Sequence, residues 1–119
     1  MQNFPLVSVI CLSYNHEAYV VEALNSVINQ TYPNIELLIA DDCSSDNSIG
    51  VIKDWVKNHP EVHFSSNEKN LGNTKTFNQL AKIAKGEFII DLAADDLLVP
   101  NCIEKQVTTF QNSKYKNLG

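Results

Sequence analysis

The sequence predicts an α/β fold, a parallel sheet with helices on both faces, and three observations carry that prediction. Short runs rich in β-branched and aromatic residues begin near Val7, Ile35, Val62 and Phe88, so that 28, 27 and 26 residues separate successive starts. Each interval holds a stretch whose apolar residues recur at helical spacing. A polar cluster follows every strand run, as repeated βαβ units require, and their crossovers make the sheet parallel. The chain's 119 residues suit one Rossmann-like domain over 1–119.

The elements follow in order. LVSVICL, Leu6 to Leu12, is the first strand. Ala18, Val21, Leu24, Val27 and Ile28 stripe the first helix, with Asn15 placed to cap it and Pro33 just past its end. IELLIA, Ile35 to Ala40, is the second strand. Ser45 or Asp46 suits the cap of a helix striped by Ile49, Ile52, Trp55 and Val56, which Pro60 stops. VHFS, Val62 to Ser65, is a short third strand. Gly72 in the loop NEKNLGN supplies a positive φ. Phe77, Leu80, Ala81 and Ala84 stripe the third helix, and Gly86 is placed as its C-cap. EFIIDLA is the fourth strand, and Pro100 opens a helix striped by Ile103, Val107 and Phe110.

Composition narrows the function classes. The chain is 44% hydrophobic and 19% charged, with no run long enough to span a membrane. The net charge of −5 argues against a nucleic-acid partner. Cys11, Cys43 and Cys102 are odd in number and form no CxxC pair, which points away from zinc or a disulfide framework and towards a reducing compartment. All nine basic residues are lysine. The four glycines cannot be arranged into GxGxxG or GxxxxGK[ST], so a phosphorylated ligand would need its charge met by some other means.

Ligands of open parallel sheets bind beyond the carboxyl ends of the strands. The clusters SYNHE, DDCSSD, NEKNLGN and ADD all fall there. Asp41–Asp42 and Asp95–Asp96 are paired carboxylates, with Asp46 beside the first pair. A divalent cation that also bridges to phosphate would answer this charge; a helix dipole or cap would answer it without any ligand. Tyr14 is either a ring packed on the core or a platform for a nucleobase. Asn70 is either a turn residue or an amide for a base edge, and Asn78 a helix-surface residue. His16 lies near the cleft, His59 and His63 are fillers, and Trp55 is core.

VSVICLSYNHEAYVVEALNSVINQTYPNIELLIADDCSSDNS, followed by NLGNTKTFNQLAKIAKGEFIIDLAADDLLVP, resembles the opening of the family 2 inverting, nucleotide-sugar-dependent glycosyltransferases of GT-A fold. The motifs are a strand ending in Ser-Tyr-Asn, a helix closing on Gln-Thr-Tyr, a strand ending in an aspartate pair, and N-x-G leading to the acidic A-D-D. Their order covers nearly the whole chain. The resemblance implies that Ser13, Tyr14, Asn15, Asp41, Asp42 and Asn70 contact the nucleoside. It implies that Asp95 and Asp96 hold Mg or Mn on the diphosphate, that the donor is a UDP-sugar, and that the acceptor is a glycan or lipid-linked glycoconjugate of the bacterial envelope. A cytoplasmic place, at the inner membrane face through other regions or partners, goes with it.

Two positions depart from the family pattern. Cys43 stands where glycine is usual, and Ala93 where the first aspartate of a DxD motif is common, leaving metal binding to Asp95 and Asp96. Asp91 reads as an inner cleft-wall carboxylate or a buried group with a partner. Family members are about twice this length or more and carry the general base in their second half, so the base is expected beyond Gly119 and the chain as the donor-binding part. Two rival readings are a nucleotide-binding module without transfer and a signalling receiver domain. The latter would need a strand-end lysine and its acidic pair after the first strand, which this sequence does not offer.

Overall fold

The computed structural model describes residues 4–118, with side chains described for 4–111. The elements alternate strictly: β1 (Val7–Ser13), α1 (Val20–Ile28), β2 (Ile35–Asp41), α2 (Ser48–Val56), β3 (His63–Ser66), α3 (Asn73–Ile83), β4 (Phe88–Ala93) and α4 (Cys102–Leu118). The four strands pair in parallel in the order β3-β2-β1-β4. β1 lies in register with β2 from Val7↔Ile35 to Ser13↔Asp41, and with β4 from Val7↔Phe88 to Leu12↔Ala93.

Alternation along the strands divides the core in two. Val7, Val9 and Cys11, with Leu37, Ile39 and Leu92, face α1, α2 and α4. Ile10, Leu38 and Ala40 face the other way, against Leu80 and Phe77 of α3. Helices therefore cover both faces, as expected. β1 is buried because a neighbour flanks it on each side and helices cover it above and below, which is why its sequence is nearly continuous in apolar residues. Trp55 is core: its indole N–H donates to Asn25 Oδ1 at 2.9 Å and its ring stacks on His59. Burial, then the charge of Asp91, pushes the Cys11 thiol up to about 12, so it stays protonated inside the core.

Four local expectations need correction. The α1 stripe is Val20, Ala23, Leu24 and Val27, because His16 O first accepts the N–H groups of Tyr19 and Val20 and delays the helix past Ala18. Asn15 does not cap α1; Tyr19 stands at that cap, without a side-chain hydrogen bond. α4 starts at Cys102 after a turn at Pro100 and Asn101, not at Pro100 itself. Gly86 is not a C-cap either. α3 ends when Ala84 turns to extended backbone, and Gly86 instead lets the chain pass close to β1. Its N–H donates to Ser8 Oγ at 2.9 Å, while Ser8 Oγ donates to Glu36 Oε2 at 2.5 Å.

A Cβ on Gly86 would sit 2.6 Å from Ser8 N and 2.9 Å from Leu6 O, both backbone atoms that cannot rotate away. Gly86→Ala is therefore expected to destabilise the fold by about 2 kcal/mol. Urea unfolding should show a lower midpoint at unchanged slope. Gly50→Ala, where the added carbon meets only the Asn47 side chain, should cost less.

Candidate functional site

The strand order reverses between β1 and β4, so the loops leaving these two strands part and open a crevice at the carboxyl edge. A cavity of about 450 Å3 occupies it. Leu12, Tyr14 and His16 from the β1 end line it, with Asn73, Thr74, Phe77 and Asn78 from the start of α3, and Asp91, Ala93 and Asp96 from β4 and its turn. Phe77 and the Tyr14 ring give it apolar walls, and no lysine lines it.

The residues selected from sequence fall into two groups. The first holds the loops to one another. Asp42, 4% exposed, accepts from Asn67 Nδ2 and Leu71 N–H at Oδ1 and from Gly72 N–H at Oδ2, at 2.8–2.9 Å. Burial pushes its carboxyl up, but the bonds from Leu71, Asn67 and Gly72 more than offset this and hold it below the usual carboxylate range. Asp41, fully buried, accepts from Ser44 N–H at 2.8 Å and the Ser44 hydroxyl at 2.6 Å. Asn15 has a φ of 57°, which its short amide tolerates. Its Oδ1 accepts the N–H groups of Ser45 and Asp46 and so ties the β1 loop to the β2 loop. Asn47, not Ser45 or Asp46, stands at the cap of α2, and Asp46 takes Ser48 N–H at 2.9 Å from just before it. Burial raises its carboxyl, and the Ser48 hydroxyl, the N–H groups of Ser48 and Glu17, and His16 bring it below the usual range. Asn70 is a turn residue here, its Oδ1 accepting Gly72 N–H at 3.1 Å. Ser13 is buried, and its Oγ is the one buried side-chain polar atom without a partner among the described residues.

The second group faces solvent or the cavity: Tyr14, 43% exposed, with Asp91, Asp95 and Asp96. Asp91 is thus a cleft-wall carboxylate and not a buried, paired one. The pairs Asp41–Asp42 and Asp95–Asp96 stand on opposite sides of β1, because β2 and β4 flank it. His16 lies between them. Its Nδ1 accepts Tyr14 N–H at 3.3 Å, and its Nε2 is 3.7 Å from Asp95 Oδ2.

Sequence reasoning missed Gln30 and Asn67. Gln30 Nε2 donates to Val99 O at 2.6 Å and its Oε1 accepts Ile103 N–H at 3.0 Å. Beside it Thr31 N–H donates to Pro100 O at 2.8 Å. The Gln-Thr after α1 therefore fastens the segment that follows Asp95–Asp96. Asn67 bridges Asp42 to Thr76. The sequence marks each only as a polar residue just past an element, without its partner 69 or 25 residues away.

A divalent cation fits this edge in one way only. Among the described residues no group of three or more His, Cys, Asp or Glu converges, so there is no cage for a resident ion. Two exposed carboxylates on one turn suit a hydrated ion shared with a diphosphate, the arrangement in which one or two carboxylates suffice.

Residues 8–118 match the sequence model of the family described as glycosyl transferase family 2. An uncharacterized glycosyltransferase of Haemophilus influenzae is 36% identical over 115 residues, covering 97% of this chain and 36% of that protein. The structure of S. aureus TarS in complex with UDP superposes with a TM-score of 0.79 at 30% identity, covering 90% of this chain and 32% of that one. The mannosyltransferase PcManGT from Pyrobaculum calidifontis, in complex with GDP-Man and Mn2+, superposes with a TM-score of 0.73 at 26% identity, covering 80% of this chain and 29% of that one. The chain thus spans about a third of the length of each of these three proteins.

Cys43 has a φ of 62°, so the position favours glycine. The left-handed region costs an L-residue about 1–2 kcal/mol, and glycine's greater freedom in the unfolded chain takes back about 0.4–1 kcal/mol. Cys43→Gly should therefore stabilise the protein by about 1 kcal/mol, measurable as a higher midpoint in urea. The Cys43 Sγ contact to Glu68 O, at 3.5 Å, is too weak to reverse the sign.

Proposed function

The chain belongs to glycosyl transferase family 2, and from that premise we propose that it is the donor-binding part of an enzyme that moves a sugar from a nucleoside diphosphate to an acceptor hydroxyl, with inversion at the anomeric carbon. The observation that carries this reading is the cavity at the β1/β4 switch point, with an exposed aromatic ring at one wall and the Asp95–Asp96 turn at its rim. A nucleotide needs those two ends: a flat surface for the base and an answer to the phosphates. The receiver reading falls with the family match.

Roles follow from position. Tyr14 stacks the base. Ser13, Asn15, Asp41, Asp42 and Asn70 hold the nucleoside loops in place. Asp95 and Asp96 hold Mg or Mn with the diphosphate. The cation supplies positive charge to the phosphates of the leaving nucleotide. Gln30 and Thr31 keep the acidic turn at the rim. The base that takes the acceptor proton is assigned to sequence outside these residues, and the acceptor to a glycan or lipid-linked glycoconjugate of the cell envelope. No helix of the described residues is long and apolar enough to cross a membrane; contact with a membrane face, if the acceptor demands it, falls to other regions or partners.

Titration calorimetry with UDP and GDP, in Mn2+ and in EDTA, tests this reading. Affinity for at least one nucleotide should be about tenfold or more higher with metal, the scale of one charge-assisted contact. Asp96→Asn should remove that metal-dependent part while leaving the thermal midpoint unchanged or higher, since it relieves repulsion between neighbouring exposed carboxylates. A lower midpoint with undiminished metal dependence would reduce the pair to a helix cap.

A further inference from the structure

We propose that His16 is a positioning residue for the acidic turn: its Nε2–H holds Asp95 for a divalent cation without itself ligating that ion; this rests on the donor-binding reading above. Among the described residues His16 is the only side chain that pairs with either rim carboxylate, its Nε2 lying 3.7 Å from Asp95 Oδ2. Asp46 also lies near the imidazole, but its oxygens already take the N–H and hydroxyl of Ser48 and the N–H of Glu17. Asp95 is the neighbour with an oxygen to spare.

The ring is held so that one nitrogen alone can meet that oxygen. His16 N–H donates to Ser48 Oγ at 3.0 Å, and His16 O accepts the N–H groups of Tyr19 and Val20, both at 2.9 Å. These bonds fix the backbone beneath the imidazole. Nδ1 accepts Tyr14 N–H at 3.3 Å. A ring nitrogen that accepts carries no proton, so in the neutral imidazole the proton sits on Nε2. A metal-ligating histidine that binds through Nε2 has the opposite arrangement, a bare Nε2 towards the ion and a donating Nδ1–H behind it. His16 therefore suits a carboxylate and not a cation.

The contact limits what Asp95 has to give up on binding. An exposed carboxylate samples several rotamers, and that freedom is lost when an ion fixes it. Asp95 is 55% exposed, with one oxygen turned towards Nε2 before any ion arrives. At 3.7 Å this is an electrostatic contact rather than a closed hydrogen bond. Its Oδ1, and Asp96 beside it, are left for the cation. From the other side Ser26 Oγ accepts Leu98 N–H at 3.1 Å and Gln30 Nε2 donates to Val99 O. Residues from both ends of α1 thus hold the segment that carries the two carboxylates.

The test compares His16→Asn and His16→Gln with the natural sequence, by calorimetric titration with UDP and GDP in Mn2+ and in EDTA. The Asn amide keeps an acceptor near the Nδ1 position and offers nothing at Nε2, whereas the Gln amide reaches the Nε2 position with an N–H. In His16→Asn the gain in affinity from Mn2+ should fall by about tenfold, the lower end of what losing an outer partner of a metal ligand costs. His16→Gln should keep most of that gain. Affinity in EDTA should be the same in all three, because the imidazole does not touch the nucleotide. Nitrogen NMR of the metal-free protein at about pH 8, where an ordinary imidazole is neutral, should show the His16 proton on Nε2, the signal being the one that His16→Asn removes. A proton on Nδ1, an unchanged gain in His16→Asn, or an equal loss in both variants overturns the assignment and leaves donor binding standing. Weaker affinity in EDTA also overturns it, by making His16 a contact of the nucleotide. A natural chain that gains nothing from Mn2+ overturns the metal-dependent donor reading itself, and the role of His16 with it.

Discussion

The loop edge of this domain depends on one buried carboxylate. Asp42 sits where β2 leaves the sheet; its own N–H is bound to Ser13 O of β1, and its oxygens take Asn67, Leu71 and Gly72 from the β3–α3 connection. One residue thus joins the ends of three elements that lie about 30 residues apart in sequence, its backbone to β1 and its side chain to the β3–α3 connection. Burial of a charge on this scale is tolerable because three donors replace the water it loses. The folded carboxyl lies below its ordinary value, so its contribution is present above the unfolded value of about 4 and is lost as pH falls through the folded one.

The same constraint changes how the acidity of this edge is understood. Six aspartates on this side of a chain without arginine suggest a demand for metal. The structure meets three of them with its own N–H and hydroxyl donors: Asp41 with Ser44, Asp42 with Leu71 and Gly72, Asp46 with Ser48 and Glu17. Those three shape the loops. Only Asp95 and Asp96 remain exposed at the rim, and Asp91 inside the cavity, so the exposed carboxylates are concentrated on the β4 side of β1. Chain segments that look alike in sequence, DD before CSSD and DD before LLVP, therefore do different work.

The sheet was legible because its causes are local. Valine and isoleucine runs repeating every 26 to 28 residues fix four strands and three crossovers, and Gly72 has the positive φ its turn required, at 88°. The helix starts were less so, because a backbone acceptor such as His16 O can hold the first turn back without any mark in the pattern. The loop clasps were not legible at all. Asn15 to Ser45 spans 30 residues and Gln30 to Val99 spans 69, and nothing in a short polar cluster names its distant partner. Asp91 lay between: alternation along β4 places it opposite Phe88, Ile90 and Leu92, away from the larger core, but the cavity above it needed α3 in position.

Amide hydrogen exchange at Leu71 and Gly72 tests most directly whether Asp42 holds this edge together. At neutral pH both amides should exchange slowly although they lie in a loop. In Asp42→Asn they should lose protection by roughly tenfold or more, the equivalent of one charged hydrogen bond, while amides of β1 and β2 keep theirs. Unchanged protection at Leu71 and Gly72 in that variant would contradict the account, because the loop would then be held by something other than the carboxylate.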